Sequence, residues 1–291
     1  MKLSFQQIIF SLQQFWSDRG CLCLQGYDVE VGAGTFHPAT TIKALGPDPW
    51  RACFVQPSRR PGDSRFGDHP NRLQQYHQFQ VILKPSPDDM QSLYLESLKA
   101  IGIDPVVHEI RFVHDDWESP TLGAWGIGWE VWCNGMEISQ FTYFQGIGGV
   151  TCKPVSGEIT YGLERLALYI QDQDDVSKIN WNGKKGIDQV TYGSIYSDNE
   201  RQFSFYNLNY SNIPMLLRHF DDYEDESRRF LAIGHPLVAY EFALKTSHIF
   251  NLLDARSAIS TTQRAAYISR VRNLVKDCCK HIIENHQNIG L

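Results

Sequence analysis

Glu158-Ile159-Thr160-Tyr161-Gly162-Leu163-Glu164-Arg165-Leu166 passes from a short extended run, through a glycine, into what reads as an amphipathic helix ending near Gln171. Far upstream, Arg51 to Gln56 and Tyr76 to Lys84 both read as strands. They imply an antiparallel pair joined by a long loop, Pro57 to Gln75, which holds three prolines, two glycines and four arginines (Arg59, Arg60, Arg65, Arg72). A structureless loop of that length inside a compact domain is generally functional or disordered. Its convergent charge favours function. Each feature also has a plain reading. Gly-Leu-Glu-Arg alone describes a helix N-terminus with a solvated Glu-Arg pair. An arginine cluster describes a solvated face, and Tyr76 a sheet-surface aromatic. The two features together, one on strand-loop-strand and one on strand-helix, point to a site.

Outward from these stretches, Phe5, Ile8, Ile9, Leu12, Phe15 and Trp16 recur at helical spacing within Ser4 to Arg19. Gly20 ends that helix, and Cys21 to Leu24 reads as a strand. Pro87-Asp88-Asp89 opens a helix to Ala100. Val106 to His114, Gly128 to Asn134 and Met136 to Gln145 read as sheet strands, and Glu158 to Tyr161 as a short extended piece. Residues 172 to 212 are polar and turn-rich, and the chain reads as mostly helical from Met215 onward. These patterns predict an α+β body on a mainly antiparallel sheet over residues 1–195, followed by a helical C-terminal domain over 196–291.

Composition narrows the function. The chain has 291 residues, 42% of them hydrophobic and 12% aromatic, which suits a folded protein with a sizeable core. No apolar run approaches the ~18–20 residues that cross a bilayer, and the N-terminus lacks a signal peptide's apolar stretch, so a cytoplasmic location is expected. Seven cysteines form no Cys-x-x-Cys pair and are expected to be reduced and structural. The formal charge of −6 is unlike that of a chain gripping a large RNA by itself, because phosphate contacts supply most of such affinity. Arg264, Arg270, Arg272, Lys276 and Lys280 make one late helix mildly basic, which reads as a solvated face or as a contact surface for a partner subunit or an RNA acceptor end.

Longer strings carry a family resemblance. Val55-Gln56-Pro57-Ser58-Arg59-Arg60-Pro61, Pro70-Asn71-Arg72-Leu73-Gln74, Gln78-Phe79-Gln80-Val81 and Lys84-Pro85-Ser86-Pro87 are among them. So are Gly123 to Trp132, Gln140 to Gln145, Glu158 to Leu166 and Asn251 to Arg256. Together they resemble the alpha subunit of bacterial heterotetrameric glycyl-tRNA synthetase, a class II aminoacyl-tRNA synthetase. The resemblance implies a class II synthetase-like sheet and a ligase that makes glycyl-adenylate from glycine and ATP, with Mg²⁺. It implies transfer of the glycyl group to tRNA(Gly) with a beta subunit in an α2β2 tetramer, and an alpha–alpha homodimer built near Gly34 and Pro38. Two other functions compete: a non-catalytic synthetase paralogue, and a stand-alone ligase that activates a small amino acid for a non-tRNA acceptor.

Site residues follow from the same resemblance. Arg165 takes the motif 3 role on ATP, Tyr76 the adenine-stacking place of motif 2, and Arg59 and Arg60 together cover the motif 2 arginine that bridges α-phosphate and substrate carboxylate. Arg65 joins the ATP-binding set. The usual motif 2 Arg-x-Glu is absent. Chemically, arginine suits the task because its planar fork binds phosphate oxygens bidentately and keeps its charge. The substrate carboxylate is already ionised, so positioning and charge neutralisation suffice. Where class II motif 3 has glycines this chain has Glu158 and Thr160, on one strand face. Glu158 is expected to accept the glycine ammonium, with Thr160 and Trp117 filling the space of a methyl group and Gln78 and Gln80 adding hydrogen bonds. Glu130 and Glu137 are the carboxylates expected to meet Mg²⁺.

Overall fold

The computed structural model describes residues 2–289, with side-chain burial described through residue 285. In chain order the elements are α1 (Phe5–Ser17), β1 (Leu22–Cys23), α2 (Pro38–Thr41), β2 (Trp50–Arg59), β3 (Gln75–Lys84), α3 (Met90–Ala100), β4 (Ile110–Ser119), β5 (Ala124–Cys133), β6 (Met136–Ile147), β7 (Val150–Gly162), α4 (Leu163–Gln171), α5 (Tyr192–Phe205), α6 (Ile213–Ala232), α7 (Pro236–Ala255) and α8 (Thr261–Ile289). The strands form one seven-stranded sheet in the order β1-β2-β3-β7-β6-β5-β4. Every pairing is antiparallel except β1 with β2. The fold is therefore α+β on a mainly antiparallel sheet, as the strand pattern predicts.

Alternation sorts the sheet into two faces. Phe79, Val81 and Leu83 of β3, Phe141 of β6, and Ile159 and Tyr161 of β7 pack on one side with α1, α3 and α4. Helix α1 owes its start to a reciprocal cap, in which the Ser4 hydroxyl accepts from the Gln7 N–H and the Gln7 side chain accepts from the Ser4 N–H. It buries Phe5, Ile8, Leu12, Phe15 and Trp16. The opposite face is divided. At one end it carries Gln78, Gln80, Gln140 and Thr160, and further along it carries Ile82 and Phe144, which pack with Ala243, Leu244, Leu274, Val275 and Cys278 of α7 and α8. The late helices thus share a core with the sheet and close one end of its polar face.

Strand β4 (Ile110–Ser119) begins four residues later than the stretch read from Val106, and β5 (Ala124–Cys133) four residues earlier than the one read from Gly128. Three further elements differ from the sequence reading in ways that bear on the cavity. Strand β2 continues to Arg59, which pairs with Gln75, so the arginine loop is shorter, Arg60 to Gln74. Pro57 is tolerated because β1 is only two residues long, leaving that part of β2 near the sheet edge. Strand β7 begins at Val150, not Glu158. Pro154 falls between Thr151 and Ser156, the last paired residues on either side of a register shift against β6, where no regular rung needs its N–H. Helix α5 lies inside the stretch read as turns. Thr191 and Ser194 cap it reciprocally, and its partly polar composition hides a buried Tyr192, Glu200 and Ser204.

Candidate functional site

A cavity of about 360 Å³ opens on the polar end of that face. Its walls come from the arginine loop, β3, β4, β6, β7 and the first turn of α4. Arg60 and Arg165, distant in sequence, both line it, and Tyr76 lines it within reach of both charges. The Arg60 guanidinium lies 4.9 Å from the centre of the Tyr76 ring, and its Nε donates to the Gly32 carbonyl at 3.1 Å. Tyr76 is thereby fixed as a flat surface with a cation on one side. Arg165 donates to the Glu137 carboxylate at 2.5 Å and to the Glu137 carbonyl at 3.2 Å. Roughly half of its side chain remains exposed, so this ion pair is exchangeable for another anion. Asp63 and Arg72 face each other across the mouth at 3.8 Å.

Beneath the cavity lies a layer of locked polar groups. The Gln78 side-chain oxygen accepts from the Gly34 N–H at 2.7 Å and from the Ser58 hydroxyl at 3.1 Å. Thr160 donates to the Gln80 side-chain oxygen at 2.8 Å, and the Gln80 amide donates to Glu158. Thr35 donates to the same Glu158 oxygen at 2.7 Å. Glycine is required at position 34, because an added Cβ would sit 2.5 Å from the Gln80 oxygen. Burial pushes the Glu158 carboxyl up to about 8, and the hydrogen bonds from Thr35 and Gln80 only partly offset it. An acid so placed holds its proton at neutral pH.

Of the residues singled out in the sequence, Arg60, Arg165, Tyr76, Gln78, Trp117, Thr160 and Glu137 line this cavity. Five others are placed elsewhere. Arg59 ends β2, so strand alternation turns it away from its neighbour Arg60. Its guanidinium stacks 4.8 Å from the centre of Phe203 on α5, near Glu30 and Glu200. Arg65 folds back onto the carbonyls of Gly62 and Ser64. Gln80 and Glu158 lie one layer below the wall, covered by Thr160 and the Gly34–Thr35 turn. Glu130 accepts from the Trp132 indole at 3.0 Å and does not reach the lining.

Glu164 had no role in the sequence reading beyond a solvated pair with Arg165, and it is buried. Its Oε1 accepts from the His77 N–H at 2.8 Å, from the Tyr192 hydroxyl at 2.9 Å, and meets His77 Nδ1 at 2.9 Å. One carboxylate therefore bolts β3 to the helix that carries Arg165. Its Oε2 is buried without a protein partner. Helix α5 likewise braces the arginine loop. Glu200 accepts from the Gln74 N–H at 2.8 Å, Ser204 from the Phe66 N–H at 3.0 Å, and the Phe66 ring meets Phe205 edge-on at 5.0 Å. Phe66 has φ +58°, a backbone state that these contacts hold in place.

Comparison with known proteins agrees over nearly the whole chain. The family model for the glycyl-tRNA synthetase alpha subunit matches residues 5–287. The glycine–tRNA ligase alpha subunit of Rickettsia bellii (strain OSU 85-389) is 60% identical over 283 residues, 97% of this chain and 98% of that one. Its counterpart in Rickettsia canadensis (strain McKiel) is 59% identical over 286 residues, 98% of this chain and 99% of that one. Among solved structures, a pyrrolysyl-tRNA synthetase from Desulfitobacterium hafniense superimposes with a TM-score of 0.43 at 12% identity, covering 64% of this chain and 72% of its own.

Proposed function

This chain belongs to the glycyl-tRNA synthetase alpha-subunit family, and we propose that the cavity beside Arg60, Tyr76 and Arg165 is where it carries out that family's reaction, the ATP-dependent ligation of glycine to tRNA. What supports the reading most is the convergence of Arg60 and Arg165, from segments far apart in sequence, on one cavity that Tyr76 also lines. Adenine stacks on Tyr76, and the phosphates lie between the two guanidinium groups. Arg165 exchanges Glu137 for phosphate oxygens when the nucleotide enters. Arg60, not Arg59, meets the α-phosphate and the substrate carboxylate. The carboxylate oxygen attacks the α-phosphorus in line and pyrophosphate leaves, with no general base required. Glu164 and His77 hold the two arginine-bearing segments in register.

Glycine sits on the floor formed by Gln78 and Thr160 beside Trp117. Glu158 is a positioning residue that acts through Gln80 and Thr160. An arriving ammonium group favours the ionised form of this buried acid, so glycine binding draws its proton away. Mg²⁺ fits as an ion carried in with the phosphates. Glu137 is the one proposed carboxylate on the wall, and among the described residues no three His, Cys, Asp or Glu side chains form a cage. Such an ion takes phosphate oxygens, waters and one or two carboxylates, and supplies neutralisation of phosphate charge. The reading extends to a beta subunit in an α2β2 tetramer, an alpha–alpha homodimer, tRNA(Gly) as acceptor and a cytoplasmic setting. The acidic balance of the chain fits a partner that shares the grip on RNA. Among the described residues no helix is long and apolar enough to cross a membrane.

Arg165→Ala tests the reading. Glycine-dependent ATP–pyrophosphate exchange is expected to fall by roughly 10²–10³, the usual cost of deleting one preorganised charge-stabilising group. Because Arg165 is half exposed, the thermal midpoint should stay within a few degrees of the parent. Unchanged exchange would remove the cavity from the chemistry.

A further inference from the structure

Two more cavities continue from the one just described. A space of about 610 Å³ shares Ala33, Arg60, Asp63 and Trp117 with it, and borders Asn251 and Asp254 on α7. A third, of about 430 Å³, shares Glu118, Ser119 and Pro120 with the second. The three form one trough that leaves the arginine cavity, passes the end of β4 and reaches α8.

The far end has a distinct chemistry. Of the five cations on α8, Arg264 is held by Asp254 and Arg270 by Asp221 and Glu224. Arg272 and Lys276 have no carboxylate partner among the described residues, and both line the third cavity. Arg272 Nε is anchored to the Pro120 carbonyl at 2.6 Å, which fixes the guanidinium and leaves its other nitrogens free to donate. Gly123 and Gly149 lie against these side chains. An added Cβ would stand 3.3 Å from Arg272 at the first position and 3.9 Å from Lys276 at the second, so the backbone there lies close beneath the cations. Trp125, 52% exposed, forms part of the same wall. Two unpaired cations beside an exposed tryptophan, in a groove leading to a reaction centre, are the parts that hold an unpaired nucleic-acid strand.

We propose that this trough is the path of the single-stranded 3′ end of the acceptor RNA. Its phosphates meet Arg272 and Lys276, a base stacks on Trp125, and the terminal ribose passes Asn251 and Trp117 to reach the activated glycine. The proposal rests on the ligase reading given above. There the terminal ribose hydroxyl attacks the glycyl carbonyl and passes its proton to a phosphate oxygen of the adenylate, the bond from the carbonyl carbon to the bridging oxygen breaks, and AMP leaves with the electron pair. Asn251 lines the second cavity, with its amide nitrogen 3.9 Å from where a Cβ on Gly32 would stand.

The experiment uses the complete enzyme with its partner subunit, unmodified tRNA(Gly) transcript, and three variants: Arg272→Glu/Lys276→Glu, Lys276→Ala and Trp125→Ala. The parent must first show glycine-dependent pyrophosphate exchange without tRNA, and its failure there would sink the ligase reading, not this one. In the variants exchange should stay within about twofold. The KM for tRNA should rise about tenfold or more for Trp125→Ala and for the double variant, given the usual worth of one stacked base. The slope of log affinity against log salt should shrink by about 1.4 in the double variant, which is two single-strand phosphate contacts at ~0.7 each. Unchanged KM and slope with intact exchange would overturn the proposal. So would loss of the partner subunit from the double variant on size-exclusion chromatography, which would make the surface a protein–protein contact. Lys276→Ala, a single truncation at an exposed position of α8, keeps the question open to measurement should charge reversal impair folding. It should raise the KM and lower the slope by about half as much as the double variant.

Discussion

Replacing Glu158 by glutamine tests the chemistry of the buried layer directly. The carboxyl moves from an ordinary 4.5 in the unfolded chain to about 8 in the fold, with burial as the cause. Because the folded value is the higher one, the folded protein holds this proton more tightly, and the associated stability is full below about pH 4.5. It is lost as pH climbs from there towards 8. Each pH unit between the two values costs about 1.4 kcal/mol, tapering near 8, so the parent should lose about 2 kcal/mol from this group alone between pH 6 and pH 8. Glutamine has a similar shape, still accepts from Thr35 and Gln80, and does not titrate. Urea unfolding of the parent and Glu158→Gln at pH 6, 7 and 8, without glycine, isolates the group, since all other titrations cancel in the difference. The variant's advantage should grow by about 2 kcal/mol over that range. Parallel curves would refute the claim that Glu158 is buried as a protonated acid. Saturating glycine should flatten the difference if the ammonium group draws the proton away.

Three other substitutions probe neighbouring claims. Gly34→Ala drives a methyl group into the Gln80 side chain, which is fully buried and pinned on both sides. The KM for glycine in pyrophosphate exchange should rise about tenfold, matching a broken buried hydrogen bond of about 1–3 kcal/mol. Thr160→Gly opens the floor, and alanine-dependent exchange should become measurable, since one methyl group is worth only about 1–3 kcal/mol of discrimination. Glu200→Ala strips the Gln74 N–H of its partner and loosens the arginine loop. The KM for ATP should increase several-fold while the KM for glycine stays near the parent value, both read from the same exchange assay.

Much of the sheet was legible because alternation is a local rule. Once Tyr76 to Lys84 is recognised as a strand, Tyr76, Gln78 and Gln80 must share a face, and Glu158 and Thr160 must share theirs. The helix carrying Arg165 was legible from its glycine and its apolar spacing. What escaped was depth. Gln80 and Glu158 sit under the wall because the Gly34–Thr35 turn and Thr160 cover them, and that cover comes from segments far away in sequence. The split between Arg59 and Arg60 also escaped, since it depended on β2 running through Pro57, which is open only because β1 stops after two residues. Helix α5 was missed for a related reason. Its buried face carries Glu200 and Ser204, polar groups that pack because the arginine loop offers them backbone N–H partners.

The shared core of α7, α8 and the sheet has a consequence for how the molecule comes to be. Ile82 and Phe144 meet Leu244, Leu274 and Cys278, and the Tyr240 hydroxyl reaches the carbonyl of Phe36 at 2.7 Å. A nascent chain that has emerged only as far as α4 already contains every wall of the arginine cavity, yet its oily back half still faces water. Ribosomal synthesis must therefore deliver the last two helices before the platform can stiffen. Early pauses or truncations in that tail should be felt at a reaction centre encoded a hundred codons earlier.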